Sequence, residues 1–192
     1  MWSALSGDSA TPRLSARFGG ASAPGRIVLG ASPYFEAMRN TVAGRAPRGF
    51  ALRLWVATAG CTQARHGLVS FGGFDLLLHL NVDCSEATVE LRLDGTSHFS
   101  VPFPFYPDEW TKLGVDVNTD TGTVHVGYGQ SLGASGWLPR IPLMELGGIA
   151  GGPRTVGDIS LGQALGDPTT TLDGWLDDVM IYDVALGGRE WK

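Results

Sequence analysis

Cys61, His66, His79 and Cys84 are the residues of this chain with soft-metal ligand chemistry close together in sequence. Zinc asks for four convergent nitrogen or sulfur ligands, usually delivered in close pairs. Here the spacings are Cys-x4-His and His-x4-Cys across a hairpin, with His79 mid-strand on a polar face and Cys84 beyond the strand end. That arrangement argues against zinc. Two readings of the cysteines stay open. They are two partly buried free thiols, or they form a Cys61–Cys84 disulfide. Both follow strands that can run the same way in a meander and so reach one end of a sandwich. A bridge would require an oxidising compartment.

Glycoside hydrolysis needs two carboxylates facing each other across a sugar-sized cleft. Asp173, Asp177 and Asp178 lie near one strand, but neighbours in a regular strand point to opposite faces, which separates Asp177 from Asp178. No Gly-x-Ser-x-Gly elbow, phosphate-binding loop or His-rich metal motif is present. The expectation is a protein without catalysis. Binding chemistry is better represented. Tyr106, Trp110, Trp137 and Trp175 are candidate platforms for the apolar face of a pyranose. Trp137, between glycines and a proline in a loop over Gly133–Gly152, is the most accessible of them. It serves equally as an anchor for a protein partner. Trp137 and Tyr106 are the expected ligand-binding residues.

The elements that position these residues are strands. Phe50, Leu52, Leu54 and Val56 alternate with Ala51, Arg53 and Trp55. Phe74, Leu76, Leu78, Leu80 and Val82 oppose Asp75, Leu77, His79 and Asn81. Val89, Leu91 and Leu93 oppose Thr88, Glu90, Arg92 and Asp94, and Asp94-Gly95 is a tight-hairpin signal. Pro102, Pro104 and Pro107 bracket an edge or crossover. Leu113, Val115 and Val117 lead through a turn at Asn118–Gly122 to Val124, Val126 and Tyr128. Ile159–Leu161 and Trp175–Tyr182 complete the pattern, and Ser32–Met38 holds one helical turn or loop. Many short strands with turn signals every ten residues or so give a sandwich or barrel. Expected core residues include Leu52, Leu54, Val56, Leu76, Leu78, Val89, Leu91, Val115, Val124, Val179 and Ile181. Residues 1–25, rich in Ser, Ala, Gly and Pro, read as an extended N-terminal arm with one short strand candidate at Leu14–Phe18; such an arm either frays or, if ordered, docks on a neighbouring subunit through Trp2, Leu5, Leu14 or Phe18. Residues 26–192 read as the sandwich domain.

With 192 residues, 43% hydrophobic and 17% charged, the chain fits one ordered all-β domain. The net charge is −5, and Lys112 and Lys192 are its lysines. No basic face for nucleic acid is visible, and the negative charge argues against anionic membranes. No apolar run is long enough to span a bilayer. The start at Met1 lacks a secretory pattern, so the expectation is synthesis and assembly inside a cell, or an extracellular protein whose signal was removed.

Three segments, in order, resemble the laminin-G-like, concanavalin-A-like lectin/glucanase superfamily. Phe50–Val56 resembles its "F-T-L-S-x-W-V" strand. Glu109–Asp116 with Thr121–Val126 resembles its "W-H-H-V-A-V-T-Y-D…T-G-T-x-x-L-Y-V" hairpin, with Thr111-Lys112 in place of the usual histidine pair. Ile159–Gly162 with Leu172–Tyr182 resembles its "I-x-I-G…F-x-G-x-I-D-E-V-R-I-Y" finish, followed by Ala185-Leu186. The resemblance implies an all-β, two-sheet antiparallel jelly-roll sandwich that buries Trp110 and Trp175.

It also implies a place for a structural Ca²⁺ at Asp177, where a carboxylate joins backbone carbonyls. Against this stands a simpler role, Asp177 capping the neighbouring backbone while Asp178 faces water. No cofactor is required. The "E-x-D-x-E" strand of the jelly-roll hydrolases is absent. The function expected is a non-catalytic recognition module that binds a glycan or protein and forms a surface-exposed part of a larger assembly. The alternative is a purely structural subunit of a virion, a tail or capsid appendage whose partners are neighbouring subunits.

Overall fold

The computed structural model describes residues 2–5, 13–29, 49–71, 74–93, 96–118, 121–130, 135–139, 141–142, 159–164, 167–182 and 185–186. For 2–5, 13–14, 49, 93, 96, 137 and 141–142 it describes the backbone alone. The helical turn expected at Ser32–Met38 and the Asp94-Gly95 turn lie outside these residues.

Fifteen strands are described: β1 (Trp2–Leu5), β2 (Arg13–Gly19), β3 (Ile27–Leu29), β4 (Gly49–Thr58), β5 (Arg65–Phe71), β6 (Phe74–Leu80), β7 (Glu86–Leu93), β8 (Thr96–Phe99), β9 (Phe103–Pro104), β10 (Thr111–Asn118), β11 (Thr123–Gln130), β12 (Ser135–Trp137), β13 (Ile141–Pro142), β14 (Ile159–Leu161) and β15 (Asp173–Tyr182). They form two antiparallel sheets. The large sheet runs β1-β2-β15-β4-β10-β11-β12, with β13 also on β11. The small sheet runs β3-β14-β5-β6-β7-β8, with β9 also on β7. This is the expected jelly roll.

Register follows the hydrophobic alternation. Leu52 and Leu54 of β4 stand beside Val115 and Leu113 of β10, and Val115 beside Val126 of β11. In the small sheet Leu76 pairs with Leu91, and Leu78 with Val89. All are buried between the sheets. A one-residue slip would turn each set outward, so burial fixes the pairing. Each buried leucine contributes about 2 kcal/mol by leaving water.

Three expectations need correction. Val179 and Ile181 are half-buried and pack against the core from its margin. The cause is a β-bulge. Asp177 pairs with Trp55 and Met180 with Arg53, so Asp178 and Val179 together face the one residue between them, Leu54. The simple alternation that separated Asp177 from Asp178 is interrupted there, and Asp178 takes a left-handed φ of 46°. Second, Trp110 and Trp175 are half-buried rather than buried. The Arg17 guanidinium lies 4.6 Å from the Trp175 ring on the outward face of the large sheet.

Third, the segment expected as an arm supplies strands of the sandwich itself. β2 lies between β1 and β15, with Ala16 opposite Leu176 and Gly174 opposite Phe18. Phe18, expected to reach a neighbour, is buried in its own core. A side chain at Gly162, φ 79°, would overlap the Phe18 ring, so that position takes glycine. The strand hydrogen bonds of β1 and β2 offset their ordering entropy within one chain.

The proline-bracketed segment is the crossover expected. β9 pairs briefly with β7, Phe103 and Phe105 are buried, and the chain passes from the small sheet into the large one. Among the described residues no helix is long and apolar enough to cross a membrane.

Candidate functional site: a clamped carboxylate on the face of the small sheet

Strand alternation sends every second residue of β5 to β8 away from the large sheet. The registers place these residues in three rows: Arg65–His79–Thr88, Gly67–Leu77–Glu90–Phe99, and Ser160–Ser70–Asp75–Arg92–Ser97. Leu77, Ser70, Ser160 and Glu90 form a buried floor. Around it His79, Arg65 and Arg92 are a quarter to a third exposed. Phe99, beside Glu90 on the edge strand, is 51% exposed.

Glu90 is the hub. Its side chain is only 4% exposed. Oε2 accepts from His79 Nε2 at 2.7 Å and from Arg65 Nη2 at 3.2 Å. Oε1 accepts from Ser97 Oγ at 2.6 Å and from Arg92 Nη2 at 3.2 Å. A carboxylate offers about four lone-pair sites, and all four are engaged. Burial pushes the Glu90 carboxyl up. The Ser97 and His79 hydrogen bonds and the charges of Arg65 and Arg92 outweigh it and hold the group at about 2.

The clamp extends outward. Arg65 Nη1 reaches Asp167 at 3.4 Å, and Arg92 Nη1 reaches Asp75 at 3.6 Å. Asp167 comes from the β14–β15 connection, where it also accepts from Thr169 N–H and caps a 3-10 turn at Pro168–Thr170. Ser70 Oγ donates to Asp75. The His79 ring meets Phe99 edge to face, with centroids 5.3 Å apart.

An ionised carboxylate saturated by four donors is neither a proton donor at neutral pH nor a free base. It fixes two guanidiniums and an imidazole in place. The arrangement can hold a polar ligand against a rigid array of planar hydrogen-bonding groups, with an aromatic ring at one side.

The sequence-expected residues lie elsewhere. Tyr106 sits between β9 and β10, 49% exposed, in a loop tied to β4 by Asp108 N–H donating to Thr58 O. Trp137 ends β12, a short edge strand opposite Gly127 of β11 where a loop was expected. Asp177 lies in β15. Strands β4, β10 and β11 separate it from β12, a span of about 19 Å at sheet spacing. One site therefore does not contain all three. Asp177 Oδ1 accepts from Asp178 N–H at 2.8 Å, the capping role set against calcium above, and Asp178 is exposed.

Cys61 and Cys84 are bridged, with Cα atoms 5.9 Å apart, and tie the β4–β5 loop to the β6–β7 loop. This removes both sulfurs from metal chemistry. The histidines are also divided. His79 faces outward, whereas His66 is buried on the inner side, with Nε2 donating to Gln63 O and Nδ1 accepting from Asp173 N–H. Burial is the main cause that lowers the His66 pKa to about 4.

Glu90, Arg65, Arg92 and Asp75 were not singled out by sequence motifs. The available signal was the polar half of two adjoining strands, Asp75/His79 on β6 and Glu90/Arg92 on β7, which the short connection over residues 81–85 sets side by side. Asp167 carried no signal, because its partner Arg65 is distant in sequence.

Two antiparallel sheets joined in this order, with the terminal strands β1, β2 and β15 adjacent in one of them, make a jelly-roll sandwich, a fold this chain shares with laminin-G-like structures. The sequence matches no family model and no curated protein. Solved structures share the fold. The LG1-3 region of the laminin alpha2 chain is 10% identical, with a TM-score of 0.57 over 88% of this chain and 31% of that one. A putative carbohydrate binding protein from Bacteroides ovatus is 11% identical, with a TM-score of 0.55 over 89% and 43%. The PL-14 alginate lyase from Aplysia kurodai is 10% identical, with a TM-score of 0.55 over 94% and 86%. The chain thus spans less than half the length of the first two.

Proposed function

We propose that this chain is a non-catalytic recognition module that binds a glycan or a protein through the outward face of its small sheet. The observation that carries the reading is Glu90. It is the buried carboxylate at the centre of the described polar cluster, and it is held ionised and fully hydrogen-bonded. General acid–base work needs a group poised to exchange its proton near the working pH. Fixed donors on a rigid sheet serve binding instead, because little ordering entropy is spent when a ligand arrives.

Similar folds support the reading at the level of fold alone. One such protein is described as a putative carbohydrate binding protein, and another as an alginate lyase. The lyase keeps catalysis as the competing reading. The test is therefore double. Glycan and protein arrays probe binding, and prolonged incubation with polysaccharides, alginate included, probes for new chain ends. Binding without new ends is the expected result. New ends that disappear in His79→Ala would overturn the proposal.

Tyr106 and Trp137 are retained as alternative contact aromatics and belong in the same variant set. The assembly role rested on an arm in search of a neighbour. β1 and β2 hydrogen-bond within their own sheet, which moves weight to the recognition module. The Cys61–Cys84 bridge suits work in an oxidising compartment, outside a reducing cytosol.

A further inference from the structure

We infer that the ligand of the small-sheet face is a neutral saccharide, with the half-exposed Phe99 ring as its stacking platform and the fixed polar groups of His79, Arg92, Arg65 and Asp167 as its hydrogen-bond partners. The inference rests on the recognition reading and names its chemistry.

Charge balance selects neutrality. The described cluster holds two guanidiniums, Arg65 and Arg92, against three carboxylates, Asp75, Glu90 and Asp167. Each guanidinium already lies between two of those carboxylates: Arg65 between Glu90 and Asp167, Arg92 between Glu90 and Asp75. A uronate, sulfate or phosphate entering this face would meet cations that are already neutralised and carboxylates that repel it. A metal ion fares no better. Glu90 has no lone pair to offer, and among the described residues no cluster of three His, Cys, Asp or Glu side chains could hold a metal.

A ligand that both donates and accepts, and carries no charge, suits the face. Sugar hydroxyls do both. Asp167 and the outer edges of Arg65 and Arg92 are partly open, so the face offers acceptors and donors together. Planar guanidinium and carboxylate groups present paired sites at the spacing of neighbouring hydroxyls. Phe99 supplies what the polar groups lack. Its ring is half-exposed, lies beside Glu90 across the β7–β8 pair, and is held by the His79 edge contact. The C–H-rich face of a pyranose stacks on such a ring.

The layout also sets the size of the ligand. From Phe99 on β8 to Arg65 on β5 the face crosses three strand spacings, about 14 Å. That length suits a short oligosaccharide rather than a single ring. Because Glu90 locks the polar groups from beneath, the site is already formed before the ligand binds.

The test is an array of neutral glucan, mannan, galactan and xylan oligosaccharides beside alginate, polygalacturonate and heparin oligosaccharides. Calorimetric titration of the strongest binder then follows on wild type, Phe99→Ala and Phe99→Tyr. We expect a neutral oligosaccharide to bind, Phe99→Ala to weaken it about tenfold or more, and Phe99→Tyr to retain it. Melting temperatures should be unchanged, since the ring is outside the core. Binding confined to the acidic oligosaccharides, or neutral binding indifferent to Phe99→Ala, would overturn the inference and leave a recognition module of another chemistry. Binding of protein alone would do the same. Cleavage of the bound oligosaccharide would instead remove the recognition reading on which the inference stands.

Discussion

Glu90 and His79 are diagonal neighbours across the β6–β7 pair, with the imidazole Nε2 2.7 Å from the carboxylate Oε2, although Glu90 pairs in register with Leu77, two residues along the strand from His79. His79 lies directly opposite Thr88, so its ring leans along the strand to reach Glu90. Arg65, opposite His79 on β5, reaches the same oxygen. One acid thereby joins β5, β6 and β7 on the face away from the core.

Replacing Glu90 by glutamine should expose what that junction contributes. Arg65 and Arg92 keep Asp167 and Asp75, so the loss is partial and screened at the partly open rim. We expect Glu90→Gln to lower stability by about 2 kcal/mol in urea denaturation, within the range for a broken buried ion pair after discount for exposure. A change below about half a kcal/mol would show that the cluster does not hold the sheet face together.

Stability should fall in acid in two separable steps. His66, with a folded pKa of about 4 against an ordinary 6.5, binds fewer protons in the folded state than in the unfolded one. Its contribution is complete above pH 6.5 and is lost as pH falls towards 4, about 3 kcal/mol in all. Glu90, held at about 2 against an ordinary 4.5, adds a loss that begins near 4.5 and ends near 2. Melting curves across this range should show both steps, and His66→Asn should flatten the upper one alone. A wild-type profile that is flat between pH 6.5 and 4 would contradict the burial argument.

The Cys61–Cys84 bridge closes a loop of sequence separation 23. Constraining the unfolded chain to that extent is worth about 3 kcal/mol. The Cys61→Ser, Cys84→Ser pair, or wild type in reductant, should fold but be less stable by that amount in urea denaturation. Equal stability with and without reductant would mean the bridge constrains nothing.

At Asp177 the sequence resemblance pointed to calcium. One carboxylate oxygen is engaged by Asp178 N–H, and the neighbouring Asp178 is exposed beyond the bulge. We expect a chelator to leave the melting temperature unchanged and Asp177→Ala to cost only a capping bond, about 1 kcal/mol. A chelator-dependent melt that Asp177→Ala abolishes would restore the calcium site.

The architecture was legible wherever one face of a strand is apolar. Leu52/Leu54, Leu76/Leu78 and Val89/Leu91 alternate cleanly, and their burial leaves one register open. The bulge after Asp177 was not legible, because an acidic pair inside a strand carries no mark of the extra residue. β2 was missed as part of the sandwich, since Ser15 and Ala16 bury small side chains that leave a weak pattern. The candidate site was half legible. Asp75, His79, Glu90 and Arg92 are outward positions of a visible hairpin, but their convergence needs Arg65 and Asp167, brought in by β5 and by the connection to β15. Aromatic content drew attention to Trp137 and Tyr106. The aromatic beside the polar cluster is Phe99, placed by the β7–β8 register.

The most direct measurement is an NMR titration of the His79 imidazole and the Phe99 ring with the strongest array binder. Saturable shifts at both, with the His79 shift much reduced in Phe99→Ala at the same ligand concentration, are the predicted result. Saturable binding that leaves both rings unmoved while perturbing Tyr106 or Trp137 would place recognition elsewhere and contradict the account.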